Sequence, residues 1–265
     1  MSFLSLNLLM AAGFVAGILV CFELGRRIGR SALAAGPDGL AKGVGPAEGA
    51  VFALLGLIIA FMFSGAAARF EARHHLVTQE ANAIGTAWLR LDLLPADAQP
   101  GLREAFRRYT ELRAVAYQDA HDDALTRQRQ SEGDALQAAI WRDAVAAATR
   151  PGLPPSVASL MLPALNDMID ITTTRLMAAR NHPPAVILLL LAGLIAVGAM
   201  LFGYSTADSR QRSWFHVLAF ACIQALAVFV ILDMEFPRLG LIRIDGSDQV
   251  LLDLAATMRQ PALTR

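Results

Sequence analysis

Charge is scarce in this chain: 17% of its 265 residues are Asp, Glu, Lys or Arg, where a soluble domain carries about a quarter. The formal net charge is +0, so no basic field is offered to nucleic acid. Lys42 is the only lysine. The two cysteines, Cys21 and Cys222, lie inside apolar stretches, which excludes a disulfide framework. Histidine is equally sparing. His74 and His75 are adjacent, so on a helix they point about 100° apart and cannot share a metal by themselves. His121 and His182 lack the spaced cysteine or carboxylate partners of a zinc site. Gly36, Gly39, Gly43, Gly45 and Gly49 lack the Lys-Ser/Thr ending of a phosphate loop, and a connector is the simpler reading. No serine nucleophile elbow occurs. These absences leave no recognisable enzyme, and no cofactor or metal is expected.

What the chain has instead is apolar length. It is 55% hydrophobic with a mean hydropathy of +0.45. Residues 4–22, 49–68 and 183–207 carry no charge, and 213–232 has only His216 and Gln224 as strongly polar members. Each is long enough to cross a hydrocarbon core, which needs about 20 residues of helix. Helix is required because lipid leaves each backbone group to be satisfied internally. The expectation is an all-α membrane protein with four transmembrane helices and a helical extramembrane domain between the second and third. Residues 1–68 hold helices one and two, 69–182 the extramembrane domain, and 183–232 helices three and four. Residues 233–265 form a tail packed on the extramembrane domain.

A signal peptide carries positive charge before its apolar run, whereas Arg26, Arg27 and Arg30 follow the first run here. That run reads as a retained helix. Short-loop arginines set orientation. Arg26, Arg27, Arg30 and Lys42 after helix one, and Arg210 and Arg212 after helix three, place both short loops in the cytoplasm. The extramembrane domain is then periplasmic, in a bacterial inner membrane. Arg69, Arg73, Arg175 and Arg180 flank that domain and pull the other way.

Within 69–182 the pattern is wholly helical. Helix two runs out of the membrane unbroken, because no Gly or Pro interrupts 66–84. Pro95 and Pro100 mark one turn and the run 151–155 another. Ser156 is the expected N-cap of the next helix. Its apolar stripe is Val157, Leu160, Met161, Ala164, Leu165, Met168, Ile169 and Thr172.

Helix two carries the candidate site. Gly49, Ala53, Gly56, Ala60 and Ser64 recur at spacings of four and three, which lets helix backbones approach closely in lipid. The neighbouring face holds Phe52, Leu55, Ile59 and Met62, candidates for a hydrophobic constriction that gates a pore by dewetting. The plainer alternative is that this face meets lipid or another helix. Glu48 follows Gly45 as cap and Pro46 as first helical residue, and serves either the helix dipole or a pore mouth. Gln224 and His216 share one face of helix four, where interhelical hydrogen bonding is the simplest role. Arg69, Glu71, Arg73, Asp233, Glu235 and Arg238 form an expected charge network at the membrane surface. Asp245, Asp248 and Asp253 match no calcium loop.

Several stretches resemble one family: 54–60 leading into Phe63-Ser64, Ala68-Arg69-Phe70-Glu71-Ala72-Arg73, Glu80-Ala81-Asn82-Ala83-Ile84-Gly85-Thr86-Ala87, Leu89-Arg90-Leu91-Asp92-Leu93-Leu94-Pro95, and 231–245. Together they resemble the bestrophin-like domain family of bacterial membrane proteins. The resemblance implies a likeness to bestrophins, which are homopentameric anion channels with a pore lined by the second membrane helix. It implies neck candidates at Phe52, Leu55, Ile59 and Met62. Phe236-Pro237 and Gly240 are similar to the turn after the last bestrophin membrane helix. The chain departs in its arginine bias, since bestrophins keep the helical domain in the cytosol, and in an acidic cluster thinned to Asp245 and Asp248.

The reading that follows is an oligomeric ion channel, pentameric by the resemblance, in contact with lipid and ions. The alternative is a non-conducting membrane sensor or scaffold whose helical domain binds a partner. Either way the purified chain is expected to need detergent; a chain that stays in aqueous solution without it overturns the membrane assignment.

Overall fold

The computed structural model describes residues 3–35, 44–116, 123–208, 214–237, 241–242 and 245–259. It is 90% helix, and no strand occurs among the described residues. In chain order the helices are α1 (Phe3–Ala35), α2 (Val44–Arg90), a 3₁₀ turn (Leu91–Leu93), α3 (Gln99–Val115), α4 (Asp123–Ala148), α5 (Pro155–Arg180), α6 (Ala185–Ser205), α7 (Trp214–Glu235) and α8 (Asp245–Arg259). Among the described residues three helical stretches are long and apolar enough to cross a membrane, Gly45–Leu93, Pro155–Ser205 and Trp214–Glu235. They suggest a multi-pass membrane protein. The expected first span falls in α1, which is not one of the three.

The chain divides into two compact units. The first joins Met1–Ala68 to His182–Phe236, and the second joins Arg69–Asn181 to Pro237–Arg265.

The first unit has an apolar core drawn from four helices: Ile18 of α1, Leu55, Met62 and Ala66 of α2, Leu191, Ile195 and Ala199 of α6, and Ala221 and Ile231 of α7. Edge-on or tilted rings link the same helices, Phe22 to Phe202 at 5.5 Å, Phe202 to Phe220 at 5.5 Å and Phe52 to Phe220 at 5.9 Å. The closest approach is between α1 and α6. A Cβ on Gly25 would overlap the Met200 carbonyl, and one on Gly203 would overlap that of Phe22. A Cβ on Gly29 would lie 2.8 Å from the Tyr204 carbonyl oxygen. Gly25 and Gly29 are four apart, so α1 brings a small-x-x-x-small seam against α6. This packing accounts for a difference from the sequence reading. Arg26, Arg27 and Arg30, expected in a loop, lie on α1, which continues to Ala35. Two glycines would ordinarily weaken a helix there, but backbone contact with α6 offsets their cost.

The second unit has its own core. Val77, Ile84 and Leu91 pack with Phe106 and Tyr109 of α3, Ile140 of α4, Met161, Leu165 and Met168 of α5, and Leu251 and Met258 of α8. Thr110 Oγ1 lies 3.4 Å from Met258 Sδ, and Arg259 Nε donates to Glu111 at 2.9 Å. The tail therefore contributes a helix, α8, to this unit. Two expectations are corrected. Ser156 is not the cap of α5, which begins one residue earlier at Pro155, with Pro154 extended before it. Proline at the first position has φ preset for helix and no N–H to leave unsatisfied. Leu160, expected on the buried stripe, is exposed.

Gly25→Val should lower stability by about 3 kcal/mol or more, because overpacking of backbone against backbone cannot relax. Gly56→Ala, where a Cβ meets open space, should change the melting temperature in detergent little. Equal melting of the two variants would refute the tight seam.

Candidate functional site

Helix α2 has two unlike sides in its apolar half. At 100° per residue, Leu55, Met62 and Ala66 share one side, with Phe52, Ile58 and Ile59 beside them. Leu55 is 2% exposed, and Phe52 and Leu55 approach Gly198 of α6, whose Cβ would sit 3.3 Å from the Phe52 ring. The opposite side is open: Gly49, Ala53, Gly56, Ala60 and Ser64 are exposed. Bulky side chains are exposed beside them too, Leu54 at 45%, Leu57 at 51%, Phe61 at 65% and Phe63 at 47%.

Within one protomer, the bulky side is the one that packs and the small-residue side is the one left open. Phe52, Leu55, Ile59 and Met62, read as pore-lining, belong to or pack against the core of their own protomer. Leu55 and Met62 are buried there, and Phe52 and Ile59 are half-buried. The small residues, read as meeting neighbouring helices, meet none within the protomer. Both sides are apolar, and only their partners tell them apart. The exposed parts of the other apolar helices differ in kind: Val186, Leu189, Leu190 and Val197 on α6, and Phe215, Leu218, Ile223 and Leu226 on α7. Large aliphatic chains are at home in lipid, whereas a row of Gly, Ala and Ser gains most from another helix.

Glu48 is half-buried and lies in α2 rather than at its edge, because the helix starts at Val44 and Gly45 is already helical. Ser205 Oγ donates to its carboxylate at 3.2 Å, tying the start of α2 to the end of α6. Gln224 has a buried amide oxygen without a hydrogen-bond partner among the described residues.

The expected charge network is placed residue by residue. Arg73 is buried, and its guanidinium donates to the carbonyls of Ala178 at 3.0 Å and Asn181 at 2.9 Å. These are carbonyls at the end of α5, where an arginine satisfies groups the helix leaves open. Glu71 lies 3.4 Å from His75 one turn on. Arg69 is half-buried. Asp233 and Glu235 are buried at the end of α7. His182 Nδ1 sits 3.4 Å from the Glu235 carboxylate, and its ring stacks on Phe236 with centroids 4.8 Å apart. Arg238 lies outside the described residues.

One cluster escaped the sequence reading altogether. Glu80 has no solvent exposure, and Arg113 and Arg175 each place a guanidinium on its carboxylate, one on each oxygen. Helices α2, α3 and α5 thus meet on one carboxylate. A buried charge is tolerated only when paired and hydrogen-bonded. The sequence held a signal: Glu80 interrupts the stripe Val77, Ala81, Ile84, Ala87 and Leu91, all buried.

Glu80→Gln should cost about 3–5 kcal/mol, since it leaves guanidinium charge buried without its counter-charge. Thermal unfolding in detergent checks this, with exposed Glu104→Gln as the control expected to change little. Indistinguishable melting of the two variants would refute the role given to Glu80.

The family model described as Bestrophin-like domain matches residues 12–248. No curated protein and no solved structure matches the chain.

Proposed function

The chain belongs to the bestrophin-like family, and from that premise we propose that it is an oligomeric ion channel of a bacterial inner membrane, with α2 around the central axis. The observation that carries this reading is the exposed row Gly49, Ala53, Gly56, Ala60 and Ser64. In a ring of copies such a row allows α2 helices to approach one another closely. Leu57 and Phe61 stand within about 40° of each other on that side, both exposed. They are the side chains suited to a hydrophobic neck, which conducts only when wetted. A pentamer fits the likeness to bestrophins. Four membrane crossings, with α1 as the first, and a periplasmic second unit are the topology favoured by the arginines near the end of α1 and those that follow α6 in the sequence. Arg69, Glu71, Arg73, Asp233, Glu235 and Arg238 would lie where the charged ends of such helices leave the membrane.

A non-conducting sensor or scaffold is the second reading. It is favoured by the second unit, which has a core of its own. No catalytic role is assigned to any residue.

Purified protein in liposomes should pass ions down a gradient, and Leu57→Ser should raise that flux several-fold by wetting the neck. Ile59→Ala should leave flux unchanged while lowering stability by about 2 kcal/mol, since Ile59 packs against the protomer core. No flux above empty vesicles under any ion gradient or pH would remove the channel; faster flux in Ile59→Ala with none in Leu57→Ser would restore the bulky side as the lumen.

A further inference from the structure

The second unit contains a cavity of about 200 Å³ between α3, α4 and α5. It exceeds what one water needs and is smaller than the about 300–1,000 Å³ of a drug-sized pocket. Its walls mix apolar and polar side chains, the polar ones including Arg113 and Tyr109 from α3, Asp134 and Gln137 from α4, and Thr172 and Thr173 from α5. Gln137, Gly133, Asp134 and Gln130 fall at helical spacing, so one side of α4 lines the space. A Cβ on Gly133 would meet only Leu112, at 3.8 Å.

Gln137 is the informative residue. It is 8% exposed, and its amide nitrogen donates to Tyr109 OH at 2.8 Å and to Thr172 Oγ1 at 3.4 Å. The orientation of that amide follows from Thr172, whose hydroxyl hydrogen is spent on the Ile169 carbonyl at 2.7 Å. Thr172 Oγ1 can then only accept, so the group facing it must be the amide NH₂. The Gln137 amide oxygen accepts no hydrogen bond from any described residue. An acceptor left facing the cavity takes its donor from inside it. Charge is also distributed across the space. Arg113 is 7% exposed and shares the Glu80 carboxylate with Arg175, two guanidinium groups to one carboxylate, while Asp134 is exposed.

We propose that this cavity binds a small zwitterion, a short amine-bearing carboxylate. Its carboxylate lies toward Arg113, in the charge-assisted geometry that guanidinium favours. Its ammonium donates to the Gln137 amide oxygen and faces Asp134. Nothing in this binding requires conduction, so it stands or falls apart from the channel reading.

Calorimetric titration of the full chain in detergent with glycine, β-alanine, acetate and methylammonium tests it. Glycine or β-alanine should bind saturably, with acetate and methylammonium at least about tenfold weaker. Gln137→Leu should abolish zwitterion binding. Asp134→Asn, at an exposed position that leaves folding intact, should bring the zwitterion down to the level of acetate. The proposal is overturned if neither zwitterion binds at about 10 mM, a concentration at which even weak site binding registers. It is equally overturned if acetate or methylammonium alone binds as tightly, or if Asp134→Asn binds both zwitterions unchanged.

Discussion

A helix can bury only one side in its own protomer, and α2 has two apolar sides to choose between. The bulky one, Leu55, Met62 and Ala66 with Phe52 and Ile59 beside them, goes inward against α1, α6 and α7. Large side chains gain more from enclosure than small ones, by about 25 cal/mol for each square ångström of apolar surface removed from solvent. In lipid that gain shrinks, and close packing takes its place. The first effect favours filling the core with Phe, Leu, Ile and Met, while close packing favours small residues where helices meet, as Gly25, Gly29 and Gly203 do. Everything functional about the apolar half of α2 follows from that choice, because a partner copy, a lumen or lipid can only meet what the protomer leaves open.

The second unit rests on a constraint of another kind. Glu80, Arg113 and Arg175 come from three helices and bury their charges together. Such a cluster adds little net stability compared with apolar packing of the same volume. It is nonetheless unforgiving of misplacement, since any arrangement that separates the three leaves a charge uncompensated. The apolar stripe of α2 could slide against α3 or α5 with modest loss. The position of Glu80 within that stripe fixes where it stops.

Legibility in the sequence varied with the range of the interaction. The apolar windows, the unbroken run of α2 beyond residue 68 and the proline-marked turns were readable because helix period and breakers act within a few residues. The extent of α1 was not. The arginines at its end read as a loop, whereas α1 continues there with Gly25 against Met200 and Gly29 against Tyr204 of α6. Leu160 was misread for a related reason: its spacing fits the stripe of α5, but the fold leaves it 46% exposed. Glu80 was visible as a charge at an apolar position, yet its two partners lie 33 and 95 residues away.

By itself the sequence determined helical class, apolar lengths and the existence of a two-sided α2, since these depend on composition and on a period of 3.6 residues. Tertiary structure alone decided which side of α2 is enclosed, which glycines touch backbone, and which cations meet Glu80. Those outcomes depend on partners remote in the chain, and periodicity carries no record of what a side chain will meet.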